Sequence, residues 1–455
     1  MDNNMPESAF STSSRNVKYI VSLAVYYSNF VLGVCITFLS PLVLELTNIF
    51  DSTVDQVSEV FTIILFCYLA SALVCTLIFK CVNRQLVVLL LLSLITSSFF
   101  LIPSATNLTE FFVYSSLIGL GGGGYDTAQV AWIIDIWRDE SPPWILTQHF
   151  AYSLGTLAPP IILANFLTNG NSTDKLEPTT ARDIRTPFYI AGSLAITAVV
   201  INAIIYLTFR KRTPVVVVTS NIQEPIIVDT SWERESIDSR SSSSGVSVTT
   251  ALISRNRDSS KRRIYIIGLC CGVIGFYSAL ELCTQQFLPT YTHFSPMKLS
   301  PTEAAKVLFG LQLGFTIGRL FGILLILKIQ PHFIFAANLI LLAISNTILY
   351  IWGGSSMTML WVGSVMIGVG MSTVYPSLYA YIEKYLFITE SVSGVITVAG
   401  SCMSAIYPLI VGNSIETNPE ILMYVNYASI CVSSVAFSLL FSMTYVRTRM
   451  GYTRI

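Results

Sequence analysis

Long apolar runs constrain the fold of this chain more than any other feature of its sequence. A helix needs roughly 20 apolar residues to cross about 30 Å of hydrocarbon, and runs of this length recur along the whole sequence. Backbone polar groups inside a bilayer must pair within the protein, which favours helices. We therefore predict an all-α polytopic membrane protein with twelve transmembrane helices. The predicted spans lie near residues 19–44, 58–79, 85–103, 109–137, 143–167, 187–209, 264–290, 303–327, 332–352, 357–382, 390–412 and 420–445.

Composition argues against several other classes of protein. Apolar residues make up 53% of the chain and charged residues only 11%, which is too few charges for a water-solvated surface. The formal net charge is zero, so no global field attracts nucleic acid. The nine cysteines and three histidines show no spacing typical of a metal site or a disulfide framework. Because motifs for a catalytic nucleophile or a phosphate-binding loop are also missing, we expect no enzymatic activity and no cofactor.

Lys and Arg residues are distributed unevenly between the two sides of the predicted spans. The short loops and flanks on one side carry sixteen, and those on the other side carry five. An excess of positive charge marks the cytosolic side, so both termini are predicted to be cytosolic. Two glycosylation sequons, at Asn107 and Asn171, then lie on the extracellular or lumenal side.

The sequence repeats itself at an offset of 248 residues, without gaps across five spans. The matched pairs are Pro41 and Pro289, Asp55 and Glu303, Lys80 and Lys328, Gly122 and Gly370, Asp135 and Glu383, Ser153 and Ser401, and Pro160 and Pro408. Charged, Gly and Pro matches at equivalent depths indicate an internal duplication. We therefore predict two pseudo-symmetric six-helix halves, 19–209 and 264–445. A disordered cytosolic linker, 210–263, and cytosolic tails, 1–18 and 446–455, complete the chain.

Ionisable residues inside the predicted spans are candidates for a transport site, because a charge in hydrocarbon costs several kcal/mol. Asp126 lies roughly 24 Å into the fourth span, directly after a glycine-rich run that either packs or bends its helix. Glu281 lies roughly 25 Å into the seventh span. Gln285, one turn further on, either contributes to the same site or only bridges to Glu281. His149 in the fifth span either changes protonation near neutral pH or donates to a backbone carbonyl.

Several uncharged side chains in the same spans suit a sugar. An amide both donates and accepts hydrogen bonds, and an indole offers a flat apolar face with one donor. The candidates of this kind are Gln148, Gln129, Asn29 and Trp132.

Five further charges are candidates for gating or structural roles. Arg319 in the eighth span is expected to pair with a carboxylate or to reach the cytosolic interface. Lys80 and Asp135 lie at the cytosolic ends of the second and fourth spans, and the repeat places Lys328 and Glu383 at the equivalent ends of the eighth and tenth. Such pairs either latch a cytosolic gate or simply extend into solvent.

A set of short motifs carries a family resemblance along nearly the whole chain outside its termini and central loop. These motifs are Gly-Tyr-Asp126-Thr-Ala-Gln129, Gln148-His149-Phe150, Gly155-xxx-Pro159, Glu281 with Phe287-Leu-Pro-Thr-Tyr291, Gly314-xxx-Gly318-Arg319, Ser372-xxx-Pro376, and Ser393-Gly394 with Pro408 and Gly412. They resemble the sodium-dependent glucose transporter-like branch of the major facilitator superfamily and, more distantly, the bacterial fucose permeases. The sequence departs from the family in two places. Ser40 precedes Pro41 where the family usually has Gly, and Lys80-Cys-Val-Asn-Arg84 is a poor version of the usual loop motif after the second span.

The resemblance implies the major facilitator fold and sugar transport driven by a coupled cation. It assigns Asp126 to the cation or a sugar hydroxyl, and it places Glu281 and His149 on the opposite wall. Carboxylates bind both Na⁺ and H⁺, so the coupling ion stays open.

We predict a secondary transporter that moves a glucose-like monosaccharide with a cation, by alternating access of two halves around a midplane site. Two alternatives stay open: a facilitative or proton-coupled transporter of another small organic solute, and a non-transporting scaffold or sensor that keeps the fold. We expect a multi-pass monomer in the lipid bilayer, in the plasma membrane rather than an internal membrane.

Overall fold

Helices occupy all twelve predicted spans. The computed structural model describes residues 15–79, 81–167, 184–209, 245–326, 328–386 and 390–449. The helices of the first half are α1 (Arg15–Thr37), α2 (Val43–Ile49), α3 (Val54–Ile78), α4 (Arg84–Leu101), α5 (Leu108–Trp137), α6 (Ser141–Thr156), α7 (Ala158–Leu163) and α8 (Arg185–Phe209). Those of the second half are α9 (Gly245–Phe294), α10 (Pro301–Ile326), α11 (Pro331–Trp352), α12 (Met357–Met371), α13 (Val374–Ile382), α14 (Glu390–Gly412) and α15 (Ile421–Arg449). Short 3-10 turns lie at Ser40–Leu42, Ile102–Ser104 and Arg138–Glu140.

Two of the predicted spans are less apolar than the rest. Within the described residues, ten helical segments are long and apolar enough to cross a membrane by length and composition. The fourth and fifth predicted spans, which are α5 and α6 with α7, fall outside these ten because they carry a glycine run and polar side chains. The least apolar spans are therefore those that carry Asp126, Gln148 and His149.

The two halves share one helix plan. Equivalent helices begin at Val54 and Pro301, at Arg84 and Pro331, at Leu108 and Met357, and at Ser141 and Glu390. Each pair keeps the sequence offset of 248 residues to within one residue. The backbone thus follows the internal duplication that the sequence predicts.

The helix of the seventh span extends beyond the predicted span toward the central linker, although its apolar segment begins at Arg262, close to the predicted 264. α9 begins at Gly245, so the helix includes residues that the sequence assigned to the linker up to residue 263. Residues 246–263 contain neither Gly nor Pro, and a helix can continue past the membrane surface where its residues tolerate it. The rest of the predicted linker, 210–244, lies outside the described residues.

Glycines bring the helices of each half into backbone contact. A Cβ atom on Gly123 of α5 would lie 2.0 Å from the backbone oxygen of Tyr68 in α3, and one on Gly119 would lie 2.2 Å from that of Ile64. In the second half, a Cβ atom on Gly314 of α10 would lie 2.2 Å from the backbone oxygen of Val365. Such contact is typical of small residues between membrane helices. Close packing therefore explains the glycine run of α5.

Two spans are interrupted near their middle. α6 gives way to α7 at Leu157, just before Pro159, and α12 gives way to α13 at Ser372 and Thr373. Pro376 explains the second break, because a proline has no N–H to donate and its ring clashes with the carbonyl four residues earlier, at Ser372. Interrupted spans leave backbone groups that need other partners, and transporters use such positions near their sites.

The halves meet on the side of the protein opposite the termini. Near that side, a Cβ atom on Gly412 of α14 would lie 2.0 Å from the Ser58 hydroxyl oxygen of α3. The Thr62 hydroxyl donates to the Ala405 carbonyl at 2.9 Å, one turn deeper. Both contacts lie between the beginning of α3 and the end of α14. The seam between the halves is therefore closed at this end of α3.

The turn that follows α1 seals the closed end. The Ser40 hydroxyl oxygen lies 2.6 Å from the carbonyl oxygen of Gln285 and 2.9 Å from that of Gln286, both in α9. A glycine, which the family resemblance leads one to expect at this position, has no side chain to make this contact. On the same side, the Glu416 carboxylate accepts from the Val54 N–H at 2.8 Å, at the beginning of α3.

The packing of α5 on α3 predicts different effects for two neighbouring glycines. Replacing Gly123 with Ala forces α3 and α5 apart, and we expect the protein to lose about 1–3 kcal/mol of stability, as is usual for overpacked interiors. The matched control is Gly122→Ala, because its Cβ would approach only side-chain atoms at 3.3 Å or more. Thermal unfolding in detergent measures both variants. Equal melting temperatures for the two would contradict the packing role of Gly123.

Candidate functional site

Asp126 projects from α5 next to the place where α5 touches α3. Tyr68, whose backbone packs on Gly123, forms a side-chain hydrogen bond with Asp126. From one turn further along α5, Gln129 Nε2 donates to Asp126 Oδ1 at 2.6 Å. Within the described residues, the direct partners of Asp126 are thus neutral hydrogen-bond donors. They orient the carboxylate, and no Lys or Arg of the described residues forms an ion pair with it.

Glu281 of α9 has a cationic partner. Arg319 Nη2 of α10 lies 3.8 Å from Glu281 Oε1, and the two side chains are only 17% and 16% exposed. The hydroxyl of Tyr277, one turn before Glu281, lies within hydrogen-bond distance of both the Glu281 carboxylate and the Met371 carbonyl at the break after α12. Because a buried charge requires a partner, Arg319 accounts for the burial of Glu281.

Arg319 also joins the two halves. Its Nη1 donates to the backbone oxygen of His149 in α6 at 2.8 Å. The guanidinium carbon lies 4.1 Å from the centre of the Phe315 ring and 5.9 Å from that of Tyr152, which are cation–π distances. A single cation from the second half therefore contacts a carboxylate of its own half and a carbonyl of the other.

The carboxylates of the two halves converge on α6. Tyr152 lies within electrostatic range of Arg319, Glu281 and Asp126. The half-buried His149 lies within range of Arg319 and Asp126. Four of the sequence-predicted residues therefore share one region, where α5 and α6 of the first half face α9 and α10 of the second.

A seam of hydrogen bonds extends from this region toward the closed end. The Thr316 hydroxyl of α10 donates to the Ser153 carbonyl at 2.9 Å. One turn beyond Ser153, the Thr156 hydroxyl donates to Gln312 Oε1, also at 2.9 Å. Gln312 Nε2 in turn contacts Gln285 Oε1 at 3.3 Å. Gln285 thus belongs to the seam, and this contact does not bridge it to Glu281.

Two of the predicted amides lie between α1 and α6. Asn29 Nδ2 donates to the Gln148 backbone oxygen at 2.7 Å, and both residues are buried. Both side-chain polar atoms of Gln148, together with Asn29 Oδ1, are buried without a hydrogen-bond partner in the protein, as is Gln129 Oε1 of α5. A buried unpaired polar group costs about 1–3 kcal/mol. These atoms therefore require water or a polar ligand.

The remaining predicted residues lie away from the charged cluster. Trp132 is buried in the core of the first half. Asp135 forms an ion pair with Arg84 of α4, on the side of the protein where the termini lie. Lys328 is exposed just beyond α10, and Glu383 is exposed just after α13. Lys80 and Asn171 lie outside the described residues.

Asn107, the other predicted glycosylation residue, caps α5. It is exposed, and its Oδ1 accepts from the Glu110 N–H at 2.9 Å. A side-chain cap of this kind satisfies one of the free N–H groups at the beginning of a helix.

Sequence reasoning missed the tyrosines of the site. Tyr277 precedes Glu281 by one helical turn, and that spacing was a usable signal because residues four apart share a helix face. Tyr68 and Tyr152 carry no such signal, since their proximity to Asp126 and Arg319 depends on the packing of separate helices. Arg84, the partner of Asp135, counts in the sequence only as one of the sixteen positive charges on the predicted cytosolic side.

The two ion pairs predict contrasting effects on stability. Either Glu281→Gln or Arg319→Gln leaves one buried charge unpaired, and we expect a loss of about 3–5 kcal/mol. The double variant removes both charges and should recover much of that loss. The matched control is the half-exposed pair of Arg84 and Asp135, for which single variants should cost about 0–1 kcal/mol. Thermal unfolding measures this cycle, and additive effects at Glu281 and Arg319 would contradict the pairing.

Comparison with known proteins gives relatives over most of the chain. Major facilitator superfamily domain-containing protein 4A of Xenopus tropicalis is 24% identical, over 92% of this chain and 90% of its own. Sodium-dependent glucose transporter 1 of Danio rerio is 22% identical, over 94% of this chain and 70% of its own. The crystal structure of a D-xylose-proton symporter has a TM-score of 0.65 at 10% identity, covering 93% of this chain and 97% of that one.

The family model that matches this chain and the solved structures that share its fold indicate a transporter rather than an enzyme. A nucleoside transporter also shares the fold, with a TM-score of 0.62 at 12% identity over 93% of this chain and 99% of that one. The model of the Major Facilitator Superfamily matches residues 25–408. Since the match begins in α1 and ends in α14, and so covers most of both halves, this chain belongs to the Major Facilitator Superfamily.

Proposed function

We propose that this protein is a secondary transporter that moves a monosaccharide together with a cation, and that the cation binds at Asp126. The observation that carries the proposal is the contrast between the two carboxylates. Glu281 has the cationic partner Arg319, whereas the described hydrogen-bond partners of Asp126 are the neutral side chains of Gln129 and Tyr68. An uncompensated carboxylate within a membrane span is costly unless a cation or a proton joins it.

The uncharged groups around the site support a hydroxylated solute. Gln129 and Gln148 present buried amide atoms that lack protein partners, and such atoms can donate to and accept from sugar hydroxyls. Tyr68 and Tyr152 add hydroxyl groups and flat faces near Asp126. Two relatives, from Danio rerio and Xenopus laevis, are named sodium-dependent glucose transporter 1, which favours a sugar and sodium.

Alternating access is the mechanism that fits the two halves. With the termini placed in the cytosol of a plasma-membrane protein, as the charge bias of the sequence favours, the seam is closed on the outer side. The conformation is then inward-facing. Rocking of the halves opens the seam from Ser40 to Arg319 and exposes Asp126 to the other side.

Replacement of Asp126 by Asn tests the coupling role. The amide oxygen still accepts from Gln129 and Tyr68, so the fold should persist while the charge is lost. We expect sodium-driven uptake of labelled glucose into proteoliposomes to fall by about ten-fold or more, equivalent to a loss of about 1.4 kcal/mol in cation binding. Glu110→Gln is the matched control, because Glu110 lies on the same helix in its first turn, away from the cluster.

The outcomes separate the alternatives. Wild-type uptake that needs no cation gradient indicates facilitated diffusion and contradicts coupling. Uptake driven by a proton gradient alone replaces sodium by H⁺ and leaves the role of Asp126 intact. No uptake of glucose by folded wild-type protein removes this sugar, and full uptake by Asp126→Asn removes the proposed cation site.

A further inference from the structure

A crevice opens on the lateral surface of the second half, between α10 and α11. Its volume is about 360 Å³, within the range of small-ligand sites. Phe321 and Leu325 of α10 form one wall, and Phe333 and Ala337 of α11 lie on the other. The crevice is separate from the charged cluster, since Arg319 and Glu281 are not among the residues that line it.

The rim of the crevice faces hydrocarbon. Phe321 is 57% exposed and Phe333 is 61% exposed. Both rings belong to helices that are long and apolar enough to cross a membrane. Large exposed apolar side chains on such helices contact lipid tails rather than water, so the medium at the mouth of the crevice is lipid.

The floor of the crevice is the break between α12 and α13. Ser372 and Thr373 line it, together with Asn338 of α11. These polar groups already have partners: Asn338 Nδ2 donates to the Thr373 hydroxyl at 2.6 Å, and the Ser372 hydroxyl donates to the Val369 carbonyl at 2.7 Å. A floor whose hydrogen bonds are satisfied does not need a polar ligand. The chemistry that fits the crevice is therefore a hydrocarbon chain.

The end of the crevice on the terminal side of the protein lies beside a positive charge. Ile329 lines the crevice, and the exposed Lys328 directly precedes it in the loop after α10. This loop is on the terminal side of the protein. A lysine at the membrane surface attracts anionic lipid headgroups, which indicates where the headgroup of a lipid in the crevice would lie.

We propose that the crevice binds one acyl chain of an anionic phospholipid from the leaflet on the terminal side, with the headgroup at Lys328. The chain restores the dispersion contacts that an empty gap denies to its lining. It also supports the break at Ser372 and Thr373 from the lipid side. α13 follows this break and carries Tyr375, which lies within electrostatic range of Asp126. The bound lipid would therefore contact the beginning of a helix that reaches the transport site.

Photolabelling tests this proposal independently of any solute. The full-length protein is reconstituted with phosphatidylglycerol that carries a diazirine at the end of one acyl chain, and the labelled residues are identified by mass spectrometry. We expect label on the crevice-facing residues of α10 and α11. Ala337→Trp fills the crevice and should reduce this label by about ten-fold, equivalent to about 1.4 kcal/mol of binding.

Two further variants keep the experiment decisive. Leu325→Trp fills the crevice from its opposite, exposed wall. If Ala337→Trp does not fold, the loss of label is measured with Leu325→Trp instead. Ile344→Trp, two turns along α11 on a lipid-exposed position, is the matched control and should keep the label. Equal labelling of all lipid-facing helices in the wild type would overturn the proposal, as would unchanged crevice labelling in a folded filling variant.

Discussion

The Arg319 guanidinium is the interaction on which the arrangement of this protein depends. A permanent cation within a membrane span needs partners, and Arg319 takes them from both halves: the Glu281 carboxylate and the His149 carbonyl. The contact with His149 continues into the seam that Thr316 and Ser153 extend toward the closed side. Arg319 has its carboxylate partner within its own half, and closing the halves adds the hydrogen bond to the His149 carbonyl.

The repeat supplies the scaffold, and the site departs from it. At the offset of 248 residues, Asp126 corresponds to Val374, Glu281 to Gly33 and Arg319 to Ser71. The duplicated helices therefore carry different charges in the two halves. Gly123 shows how the scaffold serves the site, since the close approach of α3 that it permits also places the Tyr68 hydroxyl on Asp126.

The sequence was sufficient for the helix plan because apolar length and the repeat are local signals. It also identified the ionisable side chains, since a charge in a span stands out against its surroundings. It did not predict that Arg319 joins the halves or that Gln285 belongs to the seam, because both depend on the rotation of one helix against another. The predicted seventh span begins close to the apolar segment that starts at Arg262, and the helical turns of α9 before it carry no apolar signal because they lie outside that segment.

Distances between the halves test the central claim, that Arg319 holds the seam closed opposite the termini. Double electron–electron resonance can measure them with labels on non-cysteine side chains, one pair at positions 49 and 413 on the closed side and another at 77 and 395 toward the termini. For Arg319→Gln, we expect the first distance to lengthen and the second to shorten relative to wild type. Identical distance distributions in both proteins would contradict the account.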